Sequence, residues 1–225
     1  MPINPKFLAT FEENEIFHIY NRTNNKEKLF LSDANMYYFL KRFEDLVSPF
    51  VETYCYNLLP NHFHFLIKVK SEKDIVDHLA SLQKRSLTNT EIKFLKAKKK
   101  APKFSNLIQQ AFKRFFQSYA LAFNKVHKRK GNLFYKPFKR VKIQNDAQLT
   151  STIIYIHTNA AKHNIVKNFS DYRWSSWHYI ISKKPTLLLK REIIDWFGTL
   201  DICIKIHEGV TTTYNTCELE IYDTA

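Results

Sequence analysis

A chain of 225 residues, 44% of them apolar and 25% charged, can bury a core of ordinary size; three glycines and 15% aromatics exclude a low-complexity chain. No apolar run approaches the ~20 residues of a membrane span, the start lacks a signal-peptide pattern, and Cys55, Cys203 and Cys217 form no CxxC metal pair, so the cytoplasm is the expected setting. The net charge of +14 is concentrated, because residues 93–142 hold 16 Lys or Arg and no Asp or Glu; that is the footprint of a surface for a polyanion, nucleic acid rather than membrane.

Residues 1–14, polar with two prolines, read as a loose arm. Residues 15–22 have strand character and end in a turn-like Thr23-Asn24-Asn25. Ser32-Asp33 can cap a helix to about Val47, with Met36, Phe39, Leu40 and Phe43 as its apolar stripe. Val51 to Leu59 is a second strand, and Pro60-Asn61 leads tightly into a third, which runs from His62 to Val69 as an antiparallel partner. Residues 71–85 suggest a helix, and 86–103 a basic, weakly patterned linker. Ile108, Phe112, Phe115, Tyr119, Ala122 and Val126 recur at helical spacing in a long helix from Ser105 to about His127. A short strand at 138–143 and a helix from Asn145-Asp146 to about His163 follow. Beyond them, only residues 190–197 have a clear helical pattern.

The order β-α-β-β-α-β predicts an α+β chain, a ferredoxin-like split βαβ unit with helices on one face of an antiparallel sheet and the other face free for single-stranded nucleic acid. A further helix and a helical extension complete it. The expected division is an arm at 1–14, a main domain at 15–165 and an extension at 166–225.

Alternation along a strand puts His62 and His64 on one face and Phe63, Phe65 and Ile67 on the other. Two imidazoles so placed can converge on a metal ion, or can be two half-exposed residues with no chemical task. In the helix beginning at Asn145, Thr152, Tyr155, Asn159 and His163 form a stripe beside the core-facing Leu149, Ile153, Ile156 and Ala160. Asn159 could supply an oxygen ligand beside the two histidines, with Tyr155 one turn away. A tyrosine and an asparagine on a half-exposed helix edge more commonly do nothing chemical.

His-Ile-Tyr-Asn-Arg at 18–22, Leu-Pro-Asn-His-Phe-His-Phe at 59–65, Tyr-Ile-x-x-Asn at 155–159 and Trp-Ser-Ser at 174–176 occur in one order, across about residues 15–180. In these elements the chain resembles the single-tyrosine HUH transposases, especially their REP-associated relatives. One departure is Ala160, where that family commonly has proline after the asparagine. The resemblance implies that His62, His64 and Asn159 bind Mg²⁺ or Mn²⁺ and that Tyr155 attacks single-stranded DNA at hairpin-forming, imperfectly palindromic ends. The product is a 5′-phosphotyrosine, from which strand joining can follow without ATP. Free tyrosine has a pKa near ~10, so the nucleophile needs help from the metal, the basic segment, Lys162 or His163. Tyr119 is the competing nucleophile. His18, Asn21 and Arg22 would touch DNA near the metal, and Lys128, Arg129, Lys130, Lys139 and Arg140 would contact phosphates. The rival readings are a domesticated module that binds hairpin DNA or RNA without cutting it, and a metal-dependent phosphodiesterase using water. A monomer acting in cis is favoured over a dimer exchanging its tyrosine helix, in the cytoplasm on the nucleoid.

Overall fold

The computed structural model describes residues 5–24, 27–83, 86–97 and 101–211. Four strands, β1 (Ile16–Arg22), β2 (Val51–Leu59), β3 (His62–Val69) and β4 (Lys139–Lys142), form one antiparallel sheet in the order β2-β3-β1-β4. This is the split βαβ arrangement: β1 and β2 are separated by β3, and helix α1 (Asp33–Leu46) carries the chain between them. The two residues between β2 and β3 set Leu59 opposite His62, which fixes the histidines' register.

Alternation in β1 and β3 divides the molecule into two cores. Phe17, Ile19, Phe63, Phe65 and Ile67 face α1 and the long α4 (Ala101–Val126). This core is strongly aromatic: Phe43 stacks on Phe65 with ring centroids 4.2 Å apart, and Phe39 meets Phe115 at 4.7 Å. Ser32 caps α1 by accepting from the Asn35 amide. Leu40, counted in the apolar stripe of α1, is only half-buried.

Two expectations fail on this side. Residues 1–14 are not a loose arm where they are described. Pro5–Phe7 form a 3₁₀ turn, Leu8 bridges to Arg140, and Phe11 stacks on Phe112 at 5.7 Å while its amide donates to Ser105 Oγ. Two well-placed phenylalanines, Phe7 and Phe11, outweigh the polar composition of the segment. Nor is 86–103 all linker, since it holds α3 (Asn89–Leu95) and the start of α4. The missed signal is a capping box, in which Thr88 accepts from the Glu91 amide and Glu91 accepts from the Thr88 amide. Glu91 also pairs with Arg114 of α4 at 3.2 Å. Helix α2 (Glu72–Ser81), capped by Ser71, ends short of the expected 85.

The other face of the sheet is not left free. Helix α5 (Asp146–Lys162), capped by Asn145, lies across it, with Leu149, Ile153 and Ile156 in a second core with Cys55 and Leu66. The segment after it closes the outer edge of β2. The Leu58 amide donates to Trp174 O, the Ser176 amide to Tyr56 O and the Leu189 amide to Thr53 O, so the strand offers fewer open groups for stray pairing. Helices α6 (Trp177–Ile181), α7 (Lys190–Phe197) and α8 (Leu200–Thr211) then pack beside α5 and β2; α8 carried no signal in the sequence, and Cys217 lies outside the described residues.

A buried chain of polar groups ties α8 to α5. Tyr56 N–H donates to Ser176 Oγ at 2.8 Å, Ser176 Oγ is 3.1 Å from His157 Nε2, and His157 Nδ1 is 3.0 Å from His207 Nε2. His207 Nδ1 donates to Cys203 O at 2.7 Å, which fixes its tautomer. Burial lowers the pKa of both imidazoles, His207 to about 4, and the His207 charge would lower His157 further. Among the described residues Cys55 and Cys203 are free and buried, and burial pushes both thiols up.

Two outcomes follow from this packing. Phe11→Ala should cost about 3–5 kcal/mol in urea unfolding, where a loose arm would give under about 0.5. His207 is held neutral below its unfolded pKa of ~6.5, so its contribution is fully present above that pH and is lost as pH falls toward about 4. His207→Gln should therefore flatten the pH dependence of unfolding between those limits, as read by midpoints at pH 7.5 and 4.5.

Candidate functional site

The face under α5 carries the polar residues of the inner strands. The register sets Arg22 opposite His62, Tyr20 opposite His64, and Asn57 of β2 opposite His64 on the other side. Asn57 is buried, and its Nδ2 donates to Ile156 O of α5 at 2.7 Å. That bond ties α5 to β2 beside the dyad, along with the apolar packing of Leu149, Ile153 and Ile156 and the contact of His157 with Ser176. Nothing in the sequence marks Asn57 for this place except a lone carboxamide in the otherwise apolar end of β2, directly across from His64.

His62, His64 and Asn159 do come together, within one chain. His62 Nε2 is 3.3 Å from Asn159 Oδ1, and the two histidine rings stand at 89° with centroids 5.2 Å apart. His62 Nδ1 lies 2.7 Å from Asn61 Oδ1, an acceptor, so Nδ1 carries the proton and Nε2 presents a lone pair. A lone pair then faces the Asn159 amide oxygen, while Asn159 Nδ2, buried, has no hydrogen-bond partner among the described residues. Two acceptors at that separation suit neighbouring ligands on an ion with bonds of ~2.1 Å, so the donor set fits a divalent cation. Turning the amide over would let it donate to the same nitrogen instead. Among the described residues no cluster of three His, Cys, Asp or Glu is disposed to hold a metal, so any ion here depends on the amide oxygen.

Tyr155 sits against this group. Its ring is edge-on to His64, with centroids 5.3 Å apart and an angle of 88°, and Lys162 Nζ is 5.1 Å from its centroid. Over its first three members the half-exposed edge expected for this stripe is absent: Tyr155 is 2% exposed, and Thr152 and Asn159 are fully buried. The stripe lies between α5 and the sheet because the sheet's second face is occupied. His163, the C-cap of α5, is exposed, with its ring 5.0 Å from that of His62. Tyr119 is placed differently. It is buried in the aromatic core, its hydroxyl donates to Leu29 O at 2.7 Å, and burial raises its pKa.

A cleft of about 160 Å³ opens at the end of β1 and β3, lined by Tyr20, Asn21, Arg22, Asn61, His62, His64, Tyr135, Pro137, Lys139 and His163, none of them acidic. Lys139 Nζ lies over the Tyr20 ring at 5.4 Å; its pKa is lowered by burial and by the Arg22 charge, so the two cations act on the same space.

The other residues expected at DNA divide by environment. Arg22, Lys128 and Lys130 are exposed. His18 is fully buried, with Nε2 2.9 Å from His64 Nδ1; it braces a histidine of the dyad and has no surface for DNA. Asn21 is buried too, donating to Tyr135 O and accepting from the Arg22 amide. Arg129 is spent on Glu27 and the carbonyls of Gly131 and Asn132, and Arg140 on Ala9 O and the faces of Phe11 and Phe138. Both arginines clamp loops, because guanidinium groups with several carbonyls in reach are held by the fold. Trp-Ser-Ser at 174–176 likewise closes the β2 edge and carries the Ser176 link to His157.

No protein-family model matches the sequence, and no curated protein matches it. Among solved structures, the chain is similar to a REP-associated tyrosine transposase bound to a REP hairpin, across 79% of this chain and 86% of that one, at 15% identity and a TM-score of 0.46. Among the described residues, no helix is long and apolar enough to cross a membrane.

The donor set yields a direct measurement. Mn²⁺ should raise the melting temperature in a concentration-dependent way. The rise should be abolished by His64→Ala and weakened about 10–100-fold in apparent affinity by His18→Ala, which removes the brace behind His64.

Proposed function

We propose that this protein cuts and rejoins single-stranded DNA at hairpin-associated ends, with Tyr155 as nucleophile and a divalent cation, Mg²⁺ or Mn²⁺, held by His62, His64 and Asn159. The observation that carries the reading is the 3.3 Å approach of His62 Nε2 to Asn159 Oδ1, with Tyr155 against His64 in the same chain. The bound cation would supply Lewis-acid polarisation of a phosphate oxygen. His18 and Asn61 orient the two histidines, and Asn57 holds the helix that brings the nucleophile. Arg22, exposed at the cleft, draws the phosphodiester in, and the buried Lys139 adds positive potential from the wall.

Tyr155 Oη attacks phosphorus as the bond to the 3′ oxygen breaks, leaving a 5′-phosphotyrosine and a free 3′-OH. The phenolic proton is lost and the leaving 3′ oxygen gains one, so the step is neutral overall. One phosphodiester is exchanged for another, and a second 3′-OH can reverse the reaction on a new strand. Lys162 puts positive charge beside the ring from which the attacking oxygen projects. In this reading residues 15–165 carry the chemistry, and the segment from 166 onward locks α5 against the sheet.

A second reading, a module that binds hairpin nucleic acid without cutting it, is favoured by one observation: Tyr155 is 2% exposed. Cleavage requires α5 to yield enough for a phosphate to reach the phenol, whereas binding at the cleft does not.

The two readings separate in one experiment, with a 3′-labelled hairpin carrying single-stranded flanks, incubated with Mn²⁺ and run under denaturing conditions. A covalent protein–DNA species should form with the parent chain and with Tyr119→Phe if the latter folds, and vanish with Tyr155→Phe. Its absence from the parent chain, with hairpin binding intact, selects the module. Cleavage without a covalent species that survives Tyr155→Phe would mean activated water. Affinity should fall steeply with salt in either case.

A further inference from the structure

Tyr135 forms part of the cleft wall and has no task in the chemistry just described. The residue is 45% exposed, yet its backbone is firmly held. The Tyr135 amide donates to Arg22 O at 2.9 Å, and its carbonyl accepts from Asn21 Nδ2 at 3.1 Å. One residue earlier, Asn24 Nδ2 donates to Phe134 O at 3.1 Å. The Arg22 guanidinium carbon lies 5.3 Å from the ring centroid, a cation over an aromatic face. The fold thus fixes an aromatic plate at the mouth of a cationic cleft, in the same wall as His62 and His64.

We propose that Tyr135, backed by Arg22, is a stacking seat for one unpaired nucleobase of a strand whose phosphate lies deeper in the cleft. The proposal rests on the nucleic-acid reading above and adds a base contact to it. A site for phosphate alone would be served by Arg22 and Lys139 and would have no use for an uncharged ring. A base inside a duplex has both faces covered by its neighbours, so the occupant is single-stranded. An apolar side chain or a lipid tail on the ring would strip water from the adjacent Arg22 charge with nothing to replace it. A nucleotide brings both a π face for the ring and a phosphate for the cation.

The test uses the full chain in EDTA, so that no cleavage enters it, and fluorescence anisotropy with two labelled dodecamers of equal charge, one of thymidine and one with every base replaced by an abasic spacer. The parent chain should bind the thymidine strand about tenfold more tightly than the abasic strand. Tyr135→Ala should erase that preference while keeping its affinity for the abasic strand, and Tyr135→Phe should retain the preference. The ring is exposed, so both variants should fold, as far-UV circular dichroism will verify. Equal binding of the two strands by the parent chain overturns the seat and leaves the cleavage reading standing. A preference that survives in Tyr135→Ala overturns it as well. Failure of the parent chain to bind either strand at low salt removes the nucleic-acid reading itself.

Discussion

The donation from Asn57 Nδ2 to Ile156 O, 2.7 Å long and fully buried, joins the two halves of the candidate site. On one side of it is a strand pair whose register is set by a two-residue turn, so that His62 and His64 face the same way. On the other is a helix whose own hydrogen bonds fix Tyr155 and Asn159 one turn apart. Neither element alone makes a site. A buried carboxamide loses most of its value if its acceptor moves away, so the bond, with the apolar packing of α5 and the contact of His157 with Ser176, selects the position of the helix. The 3.3 Å approach of His62 to Asn159 and the edge-on contact of Tyr155 with His64 depend on that selection.

The same docking explains why polar groups fill one face of the inner strands. His18, Tyr20, Asn57 and His64 would be exposed on a bare sheet, and in the folded chain they are buried. Buried polar side chains have to meet partners. Here His18 meets His64, and Asn57 meets the helix backbone. The segment after α5 adds to the constraint from behind. Ser176 and His157 link the edge of β2 to α5, and His207 extends the link to α8. Such a clamp holds Tyr155 and Asn159 in register and also covers the phenol. In the proposed cleavage that helix would have to loosen slightly for a phosphate to reach the phenol.

Charge is distributed with similar economy. The run of 16 basic residues without an acid at 93–142 suggested one long track for a polyanion, yet its members have several tasks. Arg129 and Arg140 bind carbonyls and aromatic faces inside the fold, Arg114 pairs with Glu91, and Lys142 pairs with Glu12 and Glu15. Lys139 lies in the cleft wall with its Nζ buried against the rings of Phe7 and Tyr20, where it feels the charge of Arg22 from another strand. The positive potential at the candidate site is therefore built by two residues 117 positions apart in the sequence, brought together by the pairing of β1 with β4.

Much of this was legible in the sequence, because the relevant physics is local. Alternation placed His62 and His64 on one face opposite Phe63 and Phe65, caps at Ser32, Ser71 and Asn145 marked helix starts, and helical spacing set Tyr155 and Asn159 on one stripe. The strand order followed from a β-α-β-β-α-β sequence of elements, since a split βαβ unit has few ways to pair its strands. Where long-range contacts decide, local pattern misleads. The segment at 1–14 looked loose until Phe11 met Phe112, and the Thr152–Tyr155–Asn159 stripe looked half-exposed until the sheet's second face proved occupied. His18 and Arg140 looked like contacts for DNA, and α8 had no visible pattern. Periodicity reports which side of an element is apolar, but it is silent on what covers the other side. Only the tertiary structure, by laying α5 over the dyad and tying it to Asn57, brought two histidines and a distant tyrosine and asparagine into one candidate site.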